Sequence, residues 1–285
     1  MATHRFTQGW AATLAIVLAL ALSACGGGGG SAASSPTVSA AQAALPTTLV
    51  EDTLPATAGE NLASLAYNPM GAGDSWTYAR LDASGTDTGA FVVKTVVTGS
   101  ADSGSVTVEE SSADLGGVLA SYTVNSLGSF DADPLGEAPV AAKTLVGSLL
   151  DFPVVFYPEG SEQRSVRQGS WGADVDGDGR SDAFRLEVRI AYLGEEDLAT
   201  ATSLTPVHVV HLRKTVVFTL YTTAAGGGSQ SATATEETWS QAGVGAVQIV
   251  RSTYNASGTL QDRYTLRLQE AVVGGTTIGT PLTAQ

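Results

Sequence analysis

Residues 174–182 carry the most specific arrangement of potentially metal-binding side chains in the chain. Aspartates occupy positions 1, 3, 5 and 9 of this segment and a glycine occupies position 6: Asp174, Asp176, Asp178, Asp182 and Gly179. Calcium prefers six to eight oxygen ligands at about 2.3–2.6 Å, and alternating aspartates on a glycine turn supply several from one segment. Arg180, at position 7, would add its backbone carbonyl. The spacing therefore predicts a calcium-binding loop.

The same residues also suit a polar hairpin turn without an ion, because Asp and Gly both tolerate left-handed backbone conformations. Four crowded carboxylates would repel one another in an empty loop, which favours the calcium interpretation. The segment is similar to the calcium loops of dockerins, thrombospondin-type repeats and FG-GAP or VCBS-like propeller turns. It departs from an EF-hand, because position 12 is Arg185 and strand-like sequence follows. We expect calcium to rigidify the loop rather than to catalyse a reaction.

Cys25 is the single cysteine of the chain and ends an apolar segment. Arg5 gives the preceding region a positive charge, residues 11–22 are apolar but too few to span a bilayer, and small residues precede the cysteine. This pattern resembles the bacterial lipobox. The resemblance implies that residues 1–24 are a signal peptide and that Cys25 becomes a lipid-modified N-terminus. The alternatives are an ordinary secretory signal with an incidental cysteine, or an uncleaved helix.

Residues 25–58 are rich in Gly, Ala, Ser, Thr and Pro, and five glycines follow Cys25 directly. This composition predicts a flexible tether that spans roughly 30 Å and carries an antiparallel β domain at 59–285. In Gram-negative lipoproteins an aspartate directly after the cysteine favours retention in the inner membrane. Gly26 stands there instead, so the resemblance implies an outer-membrane lipoprotein facing the periplasm or the cell surface.

The chain is strongly acidic, with 28 acidic and 14 basic residues and a formal net charge of −14. It lacks the Lys/Arg stripe that neutralises phosphates in nucleic-acid binders, and it should not adhere electrostatically to anionic lipids. We therefore expect membrane attachment through the lipid anchor and no nucleic-acid partner. Disulfides and thiolate metal sites are excluded because no second cysteine exists. The expected further partner is an envelope protein, a glycan or an apolar ligand.

Short alternating segments separated by Gly, Asp, Ser and Asn predict a mainly β fold, a single curved antiparallel sheet of half-barrel or sandwich-like form with few short helices. In residues 183–192, large apolar side chains alternate with Arg185, Glu187 and Arg189, which is typical of a half-buried strand. Residues 139–150 fit either a helix or a strand. Further predicted strands are 76–81, 90–98, 105–110, 118–124 and 207–222, with a hairpin of 247–254 and 264–268 turning at 255–258.

Two islands, 73–78 (GDSWTY) and 239–247 (WSQAGVGAV), resemble an uncharacterised group of bacterial exported lipoproteins. In that group a G-x-x-W-x-Y strand and a late W-x-x-x-G-V-G-x-V turn bracket a mostly antiparallel sheet, loosely similar to the half-barrels of lipoprotein carriers. The resemblance implies no assigned chemistry. Read physically, Trp76 and Tyr78 share a strand face and supply large burial, while Gly243 and Gly245 permit a turn or bulge.

Other polar groups carry weaker signals. His208 and His211 lie three apart in a predicted strand, so they should point to opposite faces and not share a metal. We expect the acidic runs 109–110, 195–197 and 236–237 to be solvated. The leading hypothesis is a non-enzymatic, outer-membrane-anchored lipoprotein with a calcium-stabilised β domain and a binding or envelope-assembly role. Alternatives are a hydrolase of envelope polymers, which requires a concave carboxylate cluster, and a carrier of apolar ligands lined by Trp76, Tyr78 and Phe218.

Overall fold

The computed structural model of the chain describes residues 45–53, 66–100, 105–125, 130–131, 138–146, 160–223 and 228–279. In these residues the chain forms one antiparallel sheet that is not closed into a barrel. The strands are β1 (Leu49–Thr53), β2 (Ser75–Leu81), β3 (Asp87–Ser100), β4 (Ser105–Ser112), β5 (Gly117–Asn125), β6 (Phe130–Asp131), β7 (Glu162–Ser170), β8 (Ala183–Leu198), β9 (Val207–Tyr221), β10 (Ser229–Gln241), β11 (Gly245–Tyr254), β12 (Leu260–Val273) and β13 (Thr276–Gly279).

The strand order across the sheet is β1-β7-β8-β9-β10-β11-β12-β2-β3-β4-β5-β6, with β13 paired to the end of β12. This arrangement confirms the predicted mainly β fold with a single antiparallel sheet. One helix, α1 (Val140–Val146), has described bounds, and it settles the ambiguous segment 139–150 in favour of helix within 140–146. No helix in the described part combines the length and apolar character needed to cross a bilayer.

The predicted strands lie within observed strands, except that 207–222 extends one residue beyond β9, and the hairpin between β11 and β12 turns where expected. There the Asn255 N–H donates to the Thr259 carbonyl, and Gly258 adopts a φ of 78° that favours glycine. The sheet also contains residues that we expected in the tether, because β1 pairs with β7 over Leu49–Thr53. The ordered sheet therefore begins before residue 59. The signal peptide and Cys25 lie outside the described residues.

Two hydrophobic cores cover the sheet. The first core is built from β2 to β5, β11 and β12, and its largest members are Trp76, Tyr78, Leu266 and Leu268. The second core lies where α1 packs with β8, β9 and β10, and it centres on Trp171, Phe184 and Phe218. Edge-to-face contacts of Trp171 with both phenylalanines, each at 5.6 Å between ring centroids, add to the burial energy there.

The two islands of the sequence contact each other through β2 and the turn before β11. Trp76 Nε1 donates to the Val244 carbonyl at 2.6 Å, and the Tyr78 hydroxyl donates to the Ala246 carbonyl at 2.9 Å. Gly245 has a φ of 97°, and a Cβ there would lie 3.2 Å from Trp76 Nε1. The glycine is therefore required both by the backbone and by the close approach of the indole. This confirms the structural interpretation of Trp76 and Tyr78, which are buried in the first core.

Charged side chains on the polar face of β8 form a network of ion pairs with one another and with Arg164 of β7. Glu187 accepts two hydrogen bonds from Arg164, both at 3.0 Å, and one each from Arg185 and Arg189. The Arg164 hydrogen bonds, together with those from the other two arginines, lower the pKa of Glu187 to about 2 although burial opposes this. The alternation predicted for residues 183–192 is thus confirmed.

The low pKa of Glu187 predicts a specific acid sensitivity. A carboxyl group whose pKa is lower in the folded state stabilises the fold above its ordinary pKa, and this contribution is lost as the pH falls towards about 2. We expect Glu187→Gln to lower the free energy of unfolding at pH 7 by about 2–3 kcal/mol, and the difference from wild type to shrink between pH 4.5 and 2. Urea unfolding at a series of pH values measures this. Glu162→Gln is the control, since Glu162 pairs with Arg189 at 3.9 Å with both side chains exposed; an equal pH profile for both variants would contradict the assignment.

Candidate functional site

The aspartate-rich loop connects β7 to β8 and lies against the second core. Its ends are joined by the Trp171 N–H, which donates to the Asp182 carbonyl at 2.8 Å, and by the Asp182 N–H, which donates to the Ala173 carbonyl at 3.0 Å. Trp171 belongs to that core, and Ala173 and Val175 pack against it. These three residues therefore fix the start of the loop to the domain.

Asp174 organises the tip of the loop. Its carboxylate accepts hydrogen bonds from the backbone N–H groups of Gly177, Asp178 and Gly179, and these bonds, that of Gly179 foremost, lower the pKa of Asp174. The loop is also joined to the end of β9 by Thr223, which is buried. The Thr223 N–H donates to Asp176 Oδ2 at 2.8 Å, and its hydroxyl donates to Asp178 Oδ2 at 2.7 Å. Three neighbouring strands thus position these carboxylates.

Asp182 is the buried member of the loop, with none of its surface exposed. Its Oδ2 accepts the Val175 N–H at 2.7 Å, but its Oδ1 accepts no well-formed hydrogen bond from the described residues. Burial raises the pKa of Asp182, and the negative charge of Asp176 raises it further, although neighbouring backbone N–H groups offset part of this. A buried carboxylate oxygen without a donor is costly unless a cation or a proton satisfies it.

Carboxylate oxygens of Asp174, Asp176 and Asp182 lie within 4.8 Å of one another. This distance suits oxygens that share one cation at about 2.3–2.6 Å. Asp178 is not part of this group, and its two oxygens accept the Arg180 N–H and the Thr223 hydroxyl. The structure therefore brings together three of the four aspartates that the sequence singled out. Arg180 contributes its N–H to the loop, and its carbonyl stays a predicted ligand.

A second group of charges, which the sequence analysis missed, lies on the concave face of the sheet. Arg251 is buried, with 3% of its side chain exposed, and pairs with Glu110 at 3.2 Å and with Glu236 at 2.6 Å. The expectation that these two glutamates are solvated is wrong, because strands β4 and β10 direct them inwards. Burial raises the pKa of Glu236, and the Arg251 guanidinium offsets part of that effect.

Lysines extend this group at both ends. In the strand register Lys214 lies opposite Glu236, and Lys94 lies opposite Glu110. We call these five side chains the concave charge cluster: Lys94, Glu110, Lys214, Glu236 and Arg251. No single segment of sequence could have identified it, since the five residues come from five strands. The only local signal is that, in each of these strands, a charged residue occupies a position that the alternating pattern assigns to the inward face.

The concave face bears on the two alternative functions. Trp76, Tyr78 and Phe218, which a carrier of apolar ligands would expose, are each at most 2% exposed and belong to the two cores. Concave carboxylates of the kind a hydrolase needs do exist as Glu110 and Glu236. Both bind the Arg251 guanidinium, however, so neither is placed as a free general acid or base.

The two histidines contact different groups, in keeping with the odd spacing that places them on opposite faces. His208 pairs with Glu195 at 2.9 Å and also approaches Asp197, and these carboxylates raise its pKa. His211 instead stacks on Trp239 at 4.1 Å between ring centroids and lies near Glu196. The acidic run 195–197 is exposed, as expected.

Comparison with known proteins assigns this chain neither a family nor a function. No family model matches the chain, and no curated protein matches it. The chain is similar to the crystal structure of a candidate lipoprotein from Parabacteroides distasonis, with 12% identity, a TM-score of 0.36, and coverage of 72% of this chain and 97% of that one. It is also similar to a candidate exported protein with a YmcC-like fold from Bacteroides fragilis, with 16% identity, a TM-score of 0.33, and coverage of 72% and 98%. TM-scores this low assign neither function nor ligand.

The buried pairing predicts a large effect of removing Arg251. We expect Arg251→Met to lower the free energy of unfolding by about 3–5 kcal/mol, because it leaves two buried carboxylates without a counter-charge. Neutralising both carboxylates in Glu110→Gln/Glu236→Gln/Arg251→Met should recover much of the loss. Chemical denaturation of the variants measures both effects. Arg213→Met is the matched control and should cost at most about 1 kcal/mol, since Arg213 pairs with Glu237 in an exposed position.

Proposed function

We propose that this protein is an exported lipoprotein of the cell envelope, anchored by lipid on Cys25, whose curved β domain binds and is stabilised by calcium. The anchor places the domain at the outer membrane, facing the periplasm or the cell surface. The domain acts there in binding or in envelope assembly. Support for export and anchoring comes from the apolar segment that ends at Cys25 and from the absence of any other cysteine.

The observation that carries the calcium assignment is the state of Asp182. A fully buried carboxylate with one oxygen lacking a well-formed hydrogen bond would be destabilising on its own. Two further carboxylates, of Asp174 and Asp176, place oxygens within 4.8 Å. Three carboxylate oxygens this close together favour a hard divalent cation, and oxygen-only coordination favours calcium over softer metals.

Calcium bound there would stabilise the domain, because it would join carboxylates that repel one another when no ion is bound. Asp176 already accepts a hydrogen bond from Thr223 at the end of β9, and Asp182 directly precedes β8. An ion shared by these two carboxylates links the β7–β8 loop to β9 beside the second core. Because such binding favours the folded state only, calcium raises the stability by mass action.

Lipid anchoring agrees with the charge of the protein. A chain with a net charge of −14 gains nothing from anionic headgroups, so acyl chains must supply the membrane affinity. An acidic domain with an ion-stabilised loop suits the envelope, where its partner would be another envelope protein or a glycan.

Calcium titration tests the stabilising role. At a calcium concentration about 100-fold above Kd, we expect about 2.7 kcal/mol of stabilisation and a rise of about 5–10 °C in Tm. Calorimetric titration of the chelator-treated Cys25→Ser chain, followed by thermal melts with and without calcium, measures both quantities.

Asp182→Asn is the sharpest variant for this test, because the amide keeps an oxygen for the Val175 N–H while removing the buried charge. In chelator it should melt no lower than wild type, and it should lose the calcium response. Asp197→Asn is the control, since Asp197 is exposed and distant in sequence. A variant that melts lower in chelator and still responds to calcium would show that Asp182 is a structural turn residue and not a ligand.

The lipid anchor has its own test. Cells that express the chain in radiolabelled palmitate should yield a labelled band that is absent for Cys25→Ser, because no other thiol can accept the diacylglycerol. The labelled protein should fractionate with the outer membrane. Equal labelling of both chains, or release of the wild-type protein into the soluble fraction, would refute lipidation at Cys25.

A further inference from the structure

β1 is a short strand at the end of the sheet, and its attachment to β7 is largely polar. It comes first in the strand order and comprises only Leu49–Thr53. Val50, at its centre, is 56% exposed, so apolar burial contributes little to the attachment. Pro46, which precedes the strand, has no N–H with which to extend the ladder. Side chains of β7 therefore supply much of what holds β1 beyond the backbone pairing itself.

Two arginines of β7 bind consecutive acidic residues of β1 from opposite faces of the sheet. On one face, Arg164 Nη1 donates to Glu51 Oε1 at 2.8 Å. On the other face, Arg167 donates to both carboxylate oxygens of Asp52, at 2.7 and 3.1 Å. Only 1% of the Arg167 side chain is exposed, and it lies opposite Leu186 of the second core. Because a buried guanidinium fork matches a carboxylate in shape and charge, this position is specific for an acid.

Side chains of β7 also bind the backbone of β1. Gln168 Nε2 donates to the Thr47 carbonyl at 2.7 Å, and Arg167 Nη1 donates to the Glu51 carbonyl at 3.4 Å. These bonds require an extended backbone and are independent of its side chains. β7 thus combines recognition of an extended backbone with recognition of two adjacent acids, and sheet edges that bind added strands use the same combination of backbone and side-chain contacts.

β1 does not use the whole edge of β7. The described ladder covers Arg164–Gln168, whereas β7 runs Glu162–Ser170. Gln163 is 3% exposed, and its Oε1 accepts no hydrogen bond from the described residues. The register that pairs Thr53 with Arg164 would place residue 54 opposite Gln163, and residue 54 is a leucine, which has no side-chain donor. A strand with a donor at that position could make a hydrogen bond that β1 lacks.

We propose that the edge of β7 is a binding site for an extended segment of another protein that carries two adjacent acidic residues, and that β1 occupies this site as an internal competitor. Arg164 and Arg167 select the acidic pair, and Gln163 favours a donor two residues after it. Exchange of β1 between two copies of this chain would leave the contacts unchanged, so nothing would offset the freedom lost on association. A segment of another protein can gain the further hydrogen bond. This site goes beyond the proposed function and depends neither on calcium nor on the lipid anchor.

A labelled peptide tests the proposal on the full Cys25→Ser chain. The probe has the sequence of residues 45–54 with Leu54→Asn, and fluorescence anisotropy measures its Kd. Because tethered β1 competes at a millimolar effective concentration, the wild-type edge should bind the probe weakly. Glu51→Gln/Asp52→Asn in the chain weakens β1 and should lower the Kd at least about tenfold. The same neutral pair in the probe should raise the Kd at least about tenfold.

Glu195→Gln/Glu196→Gln is the matched control variant. It removes the same charge from the far end of β8, where the two glutamates pair with His208 and His211. Any weaker repulsion of the acidic probe therefore acts equally in both double variants. The control should bind the probe as weakly as the wild-type chain. Equal gains in both double variants, or a Kd that the neutral pair in the probe leaves unchanged, would overturn the proposal.

Hydrogen exchange gives a readout that needs no variant. In the wild-type chain the amides of Leu49–Thr53 should exchange at least about 100-fold faster than those of β8 and β9, because β1 opens by local unfolding. Excess probe should speed their exchange further, since it occupies the edge that β1 leaves. Protection of β1 equal to that of β8 at every probe concentration would rule out displacement of β1.

Light scattering identifies the donor of the competing strand. A wild-type chain that stays monomeric supports a segment of another protein. A dimer that Glu51→Gln/Asp52→Asn dissociates would instead assign the edge to β1 of a second copy, against the proposal.

Discussion

The ion pair between Arg251 and Glu110 is the interaction on which the shape of this molecule depends. β11 and β4 are four steps apart in the sheet, which would separate them by about 19 Å in a flat sheet at about 4.8 Å per strand. The two side chains nevertheless meet at 3.2 Å, so the sheet must curve strongly around them. By contrast, Arg164, Arg185 and Arg213 pair with carboxylates of the same or a neighbouring strand.

A charged side chain buried inside a curved sheet is tolerated only where a charge of opposite sign lies beside it. Arg251 is tolerated in the interior because two carboxylates bind it, and the carboxylates are tolerated because Arg251 is there. In the aspartate loop, carboxylate oxygens of Asp174, Asp176 and Asp182 lie within 4.8 Å of one another.

The alternation of residue types in the sequence identified strands that carry large apolar side chains on the buried face and charged side chains on the exposed face, as in β8 and β12. It missed β10, because the inward side chains there include Ala232 and Ala234, which lie opposite Phe218 and Val216. Small residues facing a large one pack well but leave no hydrophobic alternation to detect. It missed β7 for a related reason, since Gln163 and Ser165 are buried there as polar groups. The sequence also missed β1, because the residues around β1 have the composition of a linker. Its pairing with β7 is what places β1 in the sheet.

Nine consecutive residues are enough to predict the turn of the aspartate loop, because the hydrogen bonds that shape it run between residues close in the chain. The fold class could also be predicted, since the alternation of apolar and polar residues is a local property of the sequence. The full burial of Asp182 and the inward orientation of Glu110 and Glu236, by contrast, follow from how the strands assemble. Glu110 and Arg251 are 141 residues apart, and no local pattern records that a curved sheet will bring them together. Burial and charge pairing between residues so far apart in the chain arise only when the strands assemble into the sheet.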